Sequence, residues 1–119
     1  MPANPERGEV SLMIKGEEHI LRPTWQAIVE METGTKKPIM HLFTEFGTGR
    51  FSAHDLCVVL TACLSGSGEK GVTYAKVGDI IMELGLANQD LLMAVGQVIR
   101  AALGGGVQPG EVKAPKRDQ

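Results

Sequence analysis

Short apolar segments, each closed by glycine or proline, constrain this chain more than any other feature. Of its 119 residues, 15 are Gly and 6 are Pro. Gly34, Gly47, Gly66, Gly68, Gly85 and Gly104 all follow segments of helical apolar spacing. Gly is the residue favoured just past a helix end. A chain cut this way must build its core from several short elements. Its length suits one domain. With aromatics at 4%, that core must come from Leu, Ile, Val, Met and Ala.

The first elements read as a β-hairpin. Val10, Leu12 and Ile14 alternate with Ser11 and Met13, and a second run, His19-Ile20-Leu21-Arg22, follows Gly16. A Gly16-Glu17 turn would pair Leu12 with Leu21, Ile14 with His19 and Met13 with Ile20. Met13 and Ile20 then form a second apolar face. A lone hairpin is marginal in water, so helices or a partner must cover it.

Helical periodicity takes over after Pro23. Thr24 is the N-cap of a first helix whose buried side is expected to hold Trp25, Ile28, Val29 and Met31, with Gly34 as its stop. A second opens at Pro38 and carries Ile39, Leu42, Phe43 and Phe46 to a stop at Gly47. Ser52 caps a third, with Asp55 in its first turn and a stripe of Leu56, Val59, Leu60 and Cys63. A fourth starts near Thr73, buries Tyr74, Val77, Ile80, Ile81 and Leu84, and stops at Gly85. Asn88 caps a fifth, with Leu91, Leu92, Val95, Val98, Ile99, Ala102 and Leu103 inward. Gly96 inside it reads either as a close helix approach or as a weak spot. The expected fold class is α+β, mainly α: a hairpin followed by four or five short helices. Residues 1–8 read as a flexible leader, 9–103 as the domain and 104–119 as a disordered tail.

Composition excludes several functions. A formal net charge of −2 opposes a domain built to wrap nucleic-acid phosphate. No apolar run approaches the roughly 18 residues of a membrane span. Two cysteines, Cys57 and Cys63, make no disulfide framework, and no secretory signal opens the chain, so the cytoplasm is expected. His54 and Cys57 share one helix face, yet the chain has no CxxC or HxxxH to complete a zinc site. A Cys–His nucleophile needs a third orienting group, and capping already accounts for Asp55. Residues 65–71, SGSGEKG, lack phosphate-loop spacing. Glu17, Glu18, Glu30 and Glu32 read as solvated surface. Residues 76, 79 and 83, Lys, Asp and Glu, give the fourth helix no basic DNA-reading face. No catalytic, cofactor-binding or metal-binding residue is assigned, and an enzyme is not expected. Apolar surface remains: Met13 and Ile20 on the hairpin, and Met31, Met40, Met82 and Met93 on helices, where flexible thioethers suit adaptable contacts or fill core gaps.

The opening also carries a family likeness. Asn4, Arg7-Gly8-Glu9-Val10, the Gly16 turn, Leu21-Arg22-Pro23-Thr24-Trp25, Ala27-Ile28 and the acidic helix end at residues 30–34 resemble the gene transfer agent family of small tail proteins. The likeness extends more weakly through the helices, to about residue 103. That family is similar to phage tail assembly chaperones and is also described as tail tube protein. The resemblance implies a non-enzymatic protein that binds the tape measure protein, the tail tube protein or both while the tail assembles. The alternative is a structural tube component retained in a virion-like particle. Tube subunits generally resemble many-stranded barrels or sandwiches, so two strands and several helices favour the chaperone. Met13 and Ile20, from the hairpin, with Arg22 and Trp25, from the junction motif, are the candidate partner-binding residues. Exposed strand edges permit a homo-oligomer without requiring one.

Overall fold

The computed structural model describes residues 3–4 and 7–104. Strands β1 (Val10–Ile14) and β2 (Glu17–Leu21) form an antiparallel hairpin. Five helices follow: α1 (Trp25–Thr35), α2 (Ile39–Thr48), α3 (Ala53–Gly66), α4 (Tyr74–Leu84) and α5 (Gln89–Leu103). The fold is α+β and mainly α, as expected. Residues 1–2 and 5–6 of the leader and the tail beyond Gly104 lie outside the described residues. Gly8 is buried, with Ala101 and Pro23 beside it.

The hairpin turn falls at Lys15-Gly16, one residue earlier than expected. Both residues take positive φ, 53° and 81°. This is the type I′ requirement, whose twist suits paired strands, and Gly meets it at the second position. The register therefore pairs Val10 with Leu21, Ser11 with Ile20, Leu12 with His19, Met13 with Glu18 and Ile14 with Glu17. It is displaced by two residues from the expected one, so every side chain keeps its face. Leu12, Ile14 and Leu21 are buried, with β1 lying against α5 and β2 against α3.

Four helix starts are set by side-chain caps, three of them, Thr24, Ser52 and Asn88, at the capping residues read in the sequence. Thr24 Oγ1 accepts from Ala27 N–H (3.0 Å), Ser52 Oγ from Asp55 (3.0 Å), Thr73 Oγ1 from Lys76 (3.2 Å) and Asn88 Oδ1 from Leu91 (2.9 Å). Pro38 has no side chain to offer α2. Glu32 of α1 supplies the missing acceptor, taking the Ile39 N–H at 2.8 Å, so this carboxylate is a helix cap and not idle surface. Gly34 and Gly47 lie inside their helices. The left-handed residues that end α1 and α2 are Lys36 (φ 62°) and Gly49 (φ 75°).

Helix α3 is the axis of the fold. From Asp55 to Leu64 only Thr61 escapes full burial, so α3 is enclosed on all sides instead of carrying one apolar stripe. It contacts α1, α4, α5 and β2. The α1 contact is close because small residues meet there. A Cβ on Gly34 would lie 2.6 Å from Val58 Cγ1. One on Gly66 would collide with the Arg22 carbonyl and sit 3.4 Å from the Ala27 Cβ. The buried side of α1 is consequently Ala27, Met31 and Thr35. The expected Trp25, Ile28 and Val29 face turns outward, leaving Trp25 79% exposed, because an indole does not fit where the backbones approach this closely.

These glycines have opposite roles from Gly96, whose added Cβ meets nothing within 4 Å. Gly66→Ala is expected to lower stability by about 1–3 kcal/mol through overpacking against fixed backbone. Gly96→Ala is expected to raise it by about 1 kcal/mol through helix propensity. Urea midpoints of the two variants test the pair, and equal changes would contradict the close-contact reading.

Candidate functional site

The junction motif folds into a knot. Asn4 carbonyl accepts from both Arg7 N–H (3.0 Å) and Glu9 N–H (3.1 Å), while Asn4 N–H donates to Glu9 Oε1 (2.8 Å). Glu9 Oε2 also faces Arg7 (3.7 Å) and, at 4.0 Å, the Nε of Arg22. Arg22 N–H donates to the Cys63 carbonyl at 3.0 Å, fastening β2 to α3. The Asn4, Arg7, Glu9 and Arg22 motif thus sets the entry and exit of the hairpin.

The candidate nucleophile or metal pair is not assembled. His54 Nε2 donates to the Gly34 carbonyl (2.9 Å), which leaves Nδ1 of the neutral ring to accept the Tyr74 hydroxyl (2.8 Å). The imidazole therefore links α1, α3 and α4. Cys57 Sγ donates to the Tyr74 carbonyl at 3.3 Å, and burial pushes its pKa up. Burial also pushes Cys63 up, more strongly. Neither thiol is poised as a thiolate. Among the described residues, no group of three or more His, Cys, Asp or Glu side chains is placed to hold a metal ion. No described helix is long and apolar enough to cross a membrane.

The densest ionic cluster ties α2 to α3. Lys37 Nζ reaches Asp55 Oδ2 at 2.6 Å and Glu45 Oε1 at 2.9 Å, and Glu45 Oε2 meets His41 Nε2 at 3.0 Å. Asp55 is almost fully buried. Burial alone would raise its pKa. The Lys37 hydrogen bond and charge, joined by the Ser52 backbone and hydroxyl, overcome that and hold the carboxyl below its ordinary value. The same bonds raise Lys37. Asp55 is therefore both the third helical residue, which closes a capping box with Ser52, and a buried ion-pair partner. Neither role is chemistry on a substrate.

The four candidate contact residues spread over the hairpin, the link after it and the start of α1. Met13 and Ile20 share the outer face of the sheet, diagonal to each other; Met13 is 55% exposed and Ile20 half-buried. Trp25 stands free at the start of α1, and Arg22 is bound into the junction knot. Of the helical methionines, Met31 is core, whereas Met40, Met82 and Met93 are exposed.

A groove of about 410 Å³ between α2 and α5 went unassigned in the sequence. Phe43 and Phe46 line it from α2, and Met93, Gln97 and Arg100 from α5. Phe46 is braced from behind by a stacked Phe51, with ring centroids 4.5 Å apart. Gly47 and Gly96 face the groove, and a Cβ at either would meet nothing. The sequence signal is two glycines inside apolar helices; helical spacing places both Phe43 and Phe46 inward, whereas Phe46 packs partly against the core and Phe43 is exposed.

These features define a small hairpin-plus-helices domain that offers apolar surface and a shallow groove. A family model described as phage tail tube protein, GTA-gp10, matches residues 7–105, and the chain belongs to that family. No curated protein and no solved structure matches it.

The Asp55 assignment carries a pH signature. Its folded-state pKa lies below the unfolded one, so its contribution is present above about pH 4 and is lost as pH falls through the folded value. Asp55→Asn is expected to destabilise by about 1–3 kcal/mol at pH 7. The gap from the parent protein should narrow below pH 4. Chemical denaturation at pH 7 and pH 3 measures both, and a gap independent of pH would refute the ion-pair role.

Proposed function

We propose that this tail protein acts as an assembly chaperone, binding the tape measure protein, the tail tube protein or both while the tail forms, and performing no catalysis. The supporting observation is exposed apolar surface on a mainly helical domain. Phe43, Met93, Met40, Met82 and Trp25 all face solvent, and the α2–α5 groove runs between two of the helices that bear them. Phe43 and Met93 meet at the groove, and contiguous exposed apolar surface marks interaction sites. Methionine and aromatic side chains adapt to varied apolar helices. Two strands of five residues each provide little sheet with which to line a tube.

The second reading is a structural tube component, favoured by the description of the family to which the chain belongs. The two readings differ in where the protein ends up. A chaperone works in the host cytoplasm and leaves, whereas a tube subunit stays in the particle. Mass spectrometry of purified particles, set beside co-purification with the tape measure and tube proteins of the same gene cluster, separates them. The expected result is association in the cell and absence from particles. Retention at ring-like stoichiometry would replace the chaperone with the tube subunit.

A further inference from the structure

We infer that the groove between α2 and α5 seats an amphipathic helix of a partner protein, its apolar face over Phe43, Phe46 and Met93 and a carboxylate beside Arg100. This deepens the binding reading above and rests on it. The groove has an aromatic and thioether floor, and Phe46 is held in place by its stack on Phe51. Its two glycines are not explained by internal packing, since nothing approaches the position of either absent Cβ. They leave the helix backbones open to close approach by something outside the domain.

Charge selects the occupant. Arg100 lines the groove, no carboxylate does, and among the described residues Arg100 forms no ion pair. Arg50, three residues beyond the groove-lining Gly47, likewise forms none. Lys15, Arg22 and Lys37 are engaged with Glu83, Glu9 and the Asp55–Glu45 pair; Lys36, Lys70 and Lys76 form no ion pair among the described residues but do not line the groove, and Arg100 is the cation that does. In a chain of net charge −2, a cation left at an apolar groove complements an acidic side chain. A second copy of this chain is a poorer fit. A two-fold contact of this face would set groove against groove, with no carboxylate in either lining to meet Arg100. The α2 wall is 10 residues, about 15 Å, which matches roughly three turns of a docked helix.

The test uses the full chain and two synthetic peptides of about 18 residues, long enough to sample helix in water. Each carries a leucine stripe at helical spacing and differs only at one central position flanking the stripe, Glu in one and Lys in the other. Amide shifts of the 15N-labelled protein report the site. The Glu peptide is expected to move Gly47, Gly96 and Gln97 and to bind about tenfold more tightly than the Lys peptide. Arg100→Glu is expected to reverse that preference, and Gly96→Phe to abolish binding while the melting temperature holds. If Gly96→Phe unfolds the domain, the charge reversal alone decides. Shifts centred on the hairpin or Trp25, no charge preference, an unreversed preference, or no shift at all would overturn the inference. So would groove shifts that grow with protein concentration without peptide, which would assign the groove to a second copy. Because the titration contains neither the tape measure protein nor other tail components, failure here leaves the particle experiment untouched, and the converse also holds.

Discussion

The structure depends on how closely α1 can lie on α3. An enclosed helix needs neighbours on every side, and α3 has no charged residue between Asp55 and its C-terminus to turn toward water. Ala27, Gly34 and Gly66 remove the side chains that would hold the two helices apart. That single contact fixes which face of α1 is inner and leaves its large residues outside. It also brings the Gly34 carbonyl within reach of His54, and the Arg22 backbone within reach of Cys63. The hairpin is thus hung from α3 by the same approach that seats α1, so a marginal two-stranded sheet persists on a helical platform.

The legible parts of the sequence were those governed by local chemistry. Thr24, Ser52 and Asn88 are side chains that can satisfy an orphan N–H, and each starts a helix where it stands. Gly85 stops α4 at a φ of 99° that suits glycine. The misread parts were set by contacts distant in sequence. Trp25, Ile28 and Val29 have sound helical spacing for a core face, yet the α3 backbone lies too near to admit them. Glycine is ambiguous in a single sequence for the same reason: Gly34 marks a close approach, Gly85 a stop and Gly96 an opening. Only the neighbouring element distinguishes them. The hairpin register differs by two because Gly16 suits the first position of one turn type and the second position of another, and the sequence does not choose between them. The Lys15-Gly16 pair, with both φ values positive, shows that the turn decided.

The residues with apparent chemistry are, in this fold, its fasteners. Asp55 and Lys37 hold the α1–α2 link against α3, while His54 bridges three helices. Asn4, Glu9 and Arg22 close the base of the hairpin. Each is used by geometry that a small, aromatic-poor domain needs, since burial of a few Leu and Val side chains leaves a narrow margin. The candidate site was only partly legible because of this. Met13, Trp25 and Met93 were readable as apolar residues in need of a cover, but whether that cover was internal was a tertiary question.

Helix α2 shows where such surface arises. It enters through a Glu32 cap and the Lys37 cluster and leaves at Gly49, with Leu42 as its one fully buried residue. Fastened by ion pairs, by Leu42 and by the partly buried Ile39 and Phe46, it leans on α5 without closing over it. Phe43 and Phe46 then face a gap that Gly47 and Gly96 keep open. Phe46 is partly buried against the core, so what α2 leaves uncovered is Phe43 and the groove side of Phe46.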